Sequence, residues 1–268
     1  MRSFFLVLLQ FCWITVHAQS IEWKPTKIVL GNFEMMVPDE SGNVCALTKD
    51  GQLKKYAPSM DSMGVFNDIR RYGKLYSISA DNPLRALLFF RDFKTILVLD
   101  RFLQVVNRID VRKAGIFQAK AVGQSYDNKI WIFDEQASKL KKIDNEGKVA
   151  METADLRLAL NETIVPTVLF DLGGLVYVYD PEKGLFSFDY YGALNKRVAF
   201  LGWESVYPLG KNIIGYSHGK WTIYRPGTIE TQEIAVPSGW TDFKQIRLML
   251  GYGCALNADG LIKFDWKY

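Results

Sequence analysis

Histidine and cysteine are scarce in this chain. Among 268 residues there are two His and three Cys. A multi-histidine zinc or copper centre needs several imidazoles converging on one ion, and His17 and His218 cannot supply it. A His-based triad would need a Ser and an Asp to converge on His218, which reads instead as a turn residue in Ser217-His218-Gly219. Gly-rich phosphate loops, Gly-x-Ser-x-Gly elbows, Cys-x-x-Cys pairs and His-Glu-x-x-His helices are all missing. No catalytic residue, metal ligand or cofactor is therefore expected. Charge of one sign is lacking too. The 33 basic and 29 acidic residues leave a net charge of +4, too little for a nucleic-acid binder that concentrates Lys and Arg on one face. Past the first eighteen residues no apolar run reaches the roughly 20 needed to span a bilayer.

What is there begins with a targeting pattern. Arg2 precedes a nearly unbroken apolar run from Phe4 to Val16, and Val16-His17-Ala18 closes it with small residues before Gln19. A basic start, a short apolar stretch and an A-x-A-like site define a secretory signal peptide. The alternative for the same segment is an uncleaved anchor. Cleavage predicts residues 1–18 as the signal and 19–268 as the mature domain, with a net charge of +3 and with Arg2, Cys12 and His17 removed. The expected location is periplasmic or extracellular, in association with the cell envelope.

The mature chain repeats itself. Pairs of apolar runs flank short polar turns: 42–47 and 52–56, 86–90 and 95–99, 128–133 and 139–143, 174–179 and 185–188, 212–216 and 220–224, 253–256 and 261–264. Each pair follows a shorter strand starting near Phe33, Leu75, Gln118, Val165, Glu204 or Phe243. Aromatic and β-branched runs bounded by Asp, Asn, Gly and Pro are strand signals. A period of about 40–45 residues with four strands per unit marks a β-propeller blade. Six units predict six blades and an all-β fold. Only 155–160 carries a helical apolar period. The last unit stops after its third strand, and an unassigned strand runs from Ile21 to Lys24 and on through Lys27–Leu30. Placed as the outer strand of the last blade, it would close the ring and remove an exposed edge.

The segment Asp127-Asn128-Lys129-Ile130-Trp131-Ile132-Phe133-Asp134 resembles the turn pattern of NHL-repeat and YWTD-like six-bladed propellers. Ala258-Asp259-Gly260-Leu261-Ile262-Lys263-Phe264-Asp265 repeats the idea. The resemblance implies the same ring, and such rings host hydrolases, lyases, oxidoreductases and binding platforms alike.

Ligands of a propeller usually sit where loops crowd one face of the rigid scaffold. Trp203 and Trp240 occupy equivalent connections there. They could stack on a sugar, an aromatic ligand or a partner's side chain, or wedge over the neighbouring blade. Arg70, Arg71, Arg112, Lys113, Arg157, Arg197, Lys244 and Arg247 fall in or beside the same connections and could form a positive funnel. Asp68, Asp110, Asp155, Glu204 and Asp242 share these segments and would neutralise much of it. Glu34, Asp39, Asp171, Glu204 and Asp242 are the acids available to a calcium site; lactonase-like propellers use such residues, which Glu34 resembles only weakly. Cys45 and Cys254 both sit in Cys-Ala-Leu triplets on second strands and are expected to be free, because equivalent strands in adjacent blades lie beyond the roughly 7 Å limit for a disulfide. Asn161-Glu162-Thr163 matches a glycosylation sequon. Lys141 and Lys142 are expected on the opposite face. The function this pattern predicts is non-enzymatic binding or scaffolding of a protein or small ligand. The site residues expected to carry it are Trp203, Trp240, Arg70, Arg71, Arg112 and Arg247. A channel-mouth hydrolase or lyase and a subunit of an envelope complex are the alternatives.

Overall fold

In the computed structural model, which describes residues 24–237, 239–240 and 242–266, all strands fall into six four-stranded antiparallel sheets. The expected signal peptide and the start of the closing strand at Ile21 lie outside the described residues. The closing strand β1 is Lys24–Leu30. Blade one is β2 (Phe33–Pro38), β3 (Val44–Thr48), β4 (Leu53–Tyr56) and β5 (Ser62–Phe66). Blade two is β6 (Ser77–Ser79), β7 (Arg85–Phe90), β8 (Thr95–Asp100) and β9 (Val105–Asp110). Blade three is β10 (Ala119–Gln124), β11 (Ile130–Asp134), β12 (Lys139–Ile143) and β13 (Val149–Glu152), followed by the helix α1 (Leu156–Leu160). Blade four is β14 (Val168–Leu172), β15 (Leu175–Asp180), β16 (Gly184–Phe188) and β17 (Leu194–Val198). Blade five is β18 (Ser205–Leu209), β19 (Asn212–Ser217), β20 (Lys220–Tyr224) and β21 (Thr231–Ala235). Blade six is β22 (Gln245–Leu248), β23 (Tyr252–Leu256) and β24 (Gly260–Asp265), completed by β1.

The ring closes as the sequence predicts. β1 runs antiparallel to β24, from Lys24 opposite Asp265 to Leu30 opposite Gly260. The first described strand thus hydrogen-bonds to the last, and the outermost position of blade six is filled.

The middle strands read as continuous apolar runs because both of their faces are buried. In β7, Ala86, Leu88 and Phe90 enter the core shared with blade one, while Leu87 and Phe89 enter the core shared with blade three. Alternation along a strand sends successive side chains to opposite faces, so a sheet packed on both sides needs no polar face. Six such cores are present, one between each pair of neighbouring blades. The outer strands carry exposed polar residues, as in β13 and β17.

The same alternation separates the two cysteines. Cys45 enters the core between blades one and two, and Cys254 the core between blades six and one. The sheet of blade one stands between them. Both are free and buried, and burial pushes each thiol up to about 12. The expectation that they are unbonded therefore holds, and the reason is the direction of their side chains as much as distance.

The expectation for one pair of polar residues is corrected. Lys141 and Lys142 are buried, not displayed. They sit next to each other on β12 and so face opposite cores. Lys141 pairs with Asp134 at 2.9 Å and Lys142 with Asp127 at 3.0 Å. Connections between blades one and two and between two and three also carry short 3-10 turns, Asp68–Tyr72 and Val111–Ala114, too brief for a periodic signal.

Candidate functional site

The inner strands of all six blades enclose a central cavity of about 270 Å³. Its walls are mostly apolar, with Val37, Ile78, Val122, Leu169, Phe170 and Met249 among them. The inner strands β10 and β14 come close together because Gly123 on β10 has no side chain. A Cβ there would meet the Leu169 carbonyl oxygen of β14 at 2.4 Å. Side-chain amides clamp neighbouring inner strands together. Gln245 of β22 accepts from the Met36 N–H and donates to the Met36 carbonyl of β2, both at 2.9 Å. Gln124 of β10 donates to the Ser79 carbonyl of β6 at 3.0 Å.

Charge enters this cavity at few points. Gln245, Arg247 and Met249 all line it, as alternation along an inner strand requires. The Arg247 guanidinium lies over the Tyr207 ring, 4.3 Å from its centroid. Its Nε is buried and has no hydrogen-bond partner among the described residues. Burial lowers the pKa of Arg247, and the charges of Tyr207 and Asp81 oppose that shift; a guanidinium stays protonated regardless. Tyr207, whose hydroxyl accepts the Leu248 N–H at 2.9 Å, is pushed up to about 12 by burial. Asp81 faces the cavity, where water reaches it, yet protein surrounds that cavity and desolvation raises its pKa. The Ser79 hydroxyl, donating at 2.7 Å, pulls the other way.

A second acid at the cavity is already engaged. Asp39 is buried, accepts from the backbone and side-chain nitrogens of Asn43, and lies 3.7 Å from the buried Lys55 ammonium. Lys55 also donates to the Pro83 carbonyl at 2.8 Å. Asp39, Glu40 and Asp81 all follow first strands, in the turns leading to second strands. In an antiparallel blade those turns lie on the face opposite the inter-blade connections. The acidic end of the channel therefore opens away from the face that loop crowding favoured.

The expected site residues do not gather at one place. Trp203 is only 6% exposed. It stacks on Phe200 at 4.3 Å and Tyr179 at 5.9 Å, and its backbone N–H donates to the Tyr179 hydroxyl at 2.6 Å. This is the wedge alternative, not a displayed ring. Trp240 is half-buried, stacked on Phe243 at 4.6 Å and edge-on to Phe264 at 4.8 Å. Arg70 and Arg71 are exposed in the turn between blades one and two. Arg112 is exposed two residues from its partner Asp110. Their fork runs Nε to Oδ1 at 2.8 Å and Nη2 to Oδ2 at 2.5 Å, and that hydrogen bonding holds Asp110 down to about 2. Arg247 lies on an inner strand rather than beside a connection, and of the six it alone is among the residues lining the cavity.

Sequence reasoning missed one polar cluster between blades three and four. Asp171 accepts from the Tyr190 hydroxyl at 2.8 Å, the Ser125 hydroxyl at 3.1 Å and the Trp131 indole at 3.3 Å. Above it the Lys142 ammonium sits about 5 Å from the rings of Tyr126, Trp131 and Tyr190. The signal available was the Trp131–Lys142 cross-strand pair, but Tyr190 comes from the next blade. This cluster spends Asp171 on structure. No group of three His, Cys, Asp or Glu among the described residues is placed to hold a metal ion.

Comparison with known proteins gives a fold and no family. No protein-family model matches the chain, and no curated protein matches it in sequence. Among solved structures, a streptogramin B lyase aligns with a TM-score of 0.60 at 10% identity, covering 93% of this chain and 88% of that one. A catalytically inactive Staphylococcus aureus virginiamycin B lyase with quinupristin aligns at 0.58 and 10%, covering 89% and 82%. The Pan2 WD40 domain of Neurospora crassa aligns at 0.59 and 12%, covering 88% and 79%. The likeness is one of fold. A lyase and a WD40 domain stand equally near, so the site has to be argued from this chain's own residues.

Proposed function

We propose that this chain is an exported, non-enzymatic propeller that binds a small ligand or a partner's side chain in its central channel. The observation that carries this reading is the channel itself. It is a cavity of about 270 Å³, lined by every blade, with apolar walls and a guanidinium whose Nε lacks a partner. Concave, mostly apolar sites with a few placed polar groups are the usual form of ligand pockets. Export rests on the sequence pattern of residues 1–18. Among the described residues no helix is long and apolar enough to cross a membrane.

A plugging variant tests the reading. Ile78 is half-buried and lines the cavity, so Ile78→Trp places an indole in the channel. The mature chain would be screened against a small-molecule library by thermal shift. A ligand at 100 times its Kd should raise the wild-type Tm by roughly 5–10 °C and leave the plugged variant unchanged. A library that shifts neither protein, or shifts both alike, would sink the channel as the working site.

A further inference from the structure

We propose that the channel takes a small monocarboxylate with an apolar body, its carboxylate held by Arg247. The inference rests on the channel being the ligand site and adds the chemistry of what enters it. Most polar groups in the cavity wall already have partners. Gln245 is committed to Met36, the Tyr207 hydroxyl to the Leu248 N–H, Ser79 to Asp81, and Asp39 to Asn43 and Lys55. Arg247 differs. It forms no ion pair among the described residues, its Nε is orphaned, and its contact is with the face of the Tyr207 ring. Stacking holds the plane of a guanidinium and leaves its edge free, and that edge matches a carboxylate bidentately.

Charge and size narrow the ligand further. Arg247 supplies one positive charge, and Asp81 is close enough to bias its titration. A dianion such as phosphate would leave an uncompensated negative charge in a site walled by Val37, Ile78, Val122, Leu169 and Phe170, and unpaired buried charge is costly. A single carboxylate matches the one guanidinium fork, and Asp81, a negative neighbour at the end that water enters, disfavours any second charge on the ligand. The cavity of about 270 Å³ has room for several waters and so for a small acid. Hexanoate and phenylacetate are probes of that size.

Titration calorimetry on the mature chain would compare each acid with its uncharged counterpart, 1-hexanol or 2-phenylethanol. The acids should bind at least tenfold more tightly than the alcohols. Arg247→Met should weaken the acids by about 10- to 100-fold, the range of a charge-assisted hydrogen-bonded pair, and leave the alcohols alone. Arg247→Lys, which keeps the charge and loses the fork, should fall between. Asp81→Asn should tighten the acids several-fold by removing a competing negative charge. If Arg247→Met does not fold, the Lys and Asn variants still decide the matter. Alcohols binding as tightly as acids, or variants binding acids like the wild type, would overturn the carboxylate assignment while leaving the channel as a site. No acid binding at all would overturn it as well. Acid binding that survives the Ile78→Trp plug would remove the channel reading along with it.

Discussion

The ring of Trp203 lies across Gly215, where an added Cβ would meet ring atoms at 2.0 to 2.4 Å. The two residues are one packing unit of blade five. A glycine in a strand is a liability on propensity alone, and here it makes room for the largest side chain. Trp203→Ala should cost about 3–5 kcal/mol, as removal of a buried aromatic does, in equilibrium urea unfolding. Gly215→Ala should also destabilise, because the ring has nowhere to move. A loss within 1 kcal/mol for Trp203→Ala would mean that the ring is not a wedge. Lys141 and Lys142 teach the same lesson from the polar side. As isolated letters they read as a solvated pair, but alternation sends each into a core where an aspartate waits. Whether a lysine in a strand is displayed or buried depends on residues in other strands.

At the scale of elements, second and third strands were legible and outer strands were not. Runs such as Arg85–Phe90 and Thr95–Asp100 are buried on both faces, so their apolar continuity survives in the sequence. Outer strands such as Val149–Glu152 alternate poorly and sit mostly in solvent, so nothing in their composition announces them. Strand β1 was placed by arithmetic: the last repeat lacked a fourth strand. Its seven residues contribute pairing more than burial, since most are exposed. Removing residues 19–30 should leave the edge of β24 open. Blade six then presents unpaired backbone donors and acceptors, which invite intermolecular pairing. The expected result is aggregation or a fall in Tm of several degrees relative to the mature chain. A truncated protein as stable and as monodisperse as its parent would show that β1 does not hold the ring.

For the whole molecule, ring geometry decides the chemistry of the two thiols. Cys45 and Cys254 occupy equivalent positions and point the same way around the ring, so a sheet always separates them. Burial pushes both up to about 12, far from the thiolate that reacts. The native mature chain at pH 8 should therefore show no thiol reactive to Ellman's reagent within minutes. Unfolding in guanidinium without reductant should expose two. Finding none until reductant is added would reveal a disulfide, and fast reaction of the native protein would mean that the blades breathe open.

By itself the sequence determined the number of blades, the strand pairs within each and the closing partner of the last blade. All of these follow from local periodicity, turn residues and counts, which act over a few tens of residues. Tertiary structure alone decided which polar residues meet. Arg247 and Tyr207 lie on the inner strands of blades six and five and Asp81 in the turn after the inner strand of blade two, and they face one cavity because a closed ring brings every inner strand to its axis. Arg70, Arg71 and Arg112 looked equivalent to Arg247 as letters. They sit in connections, where solvent screens them or a neighbouring aspartate takes them up, while Arg247 sits on a strand whose alternation points it inward. That distinction is a matter of one residue in register on β22, and register is set by partners on other strands.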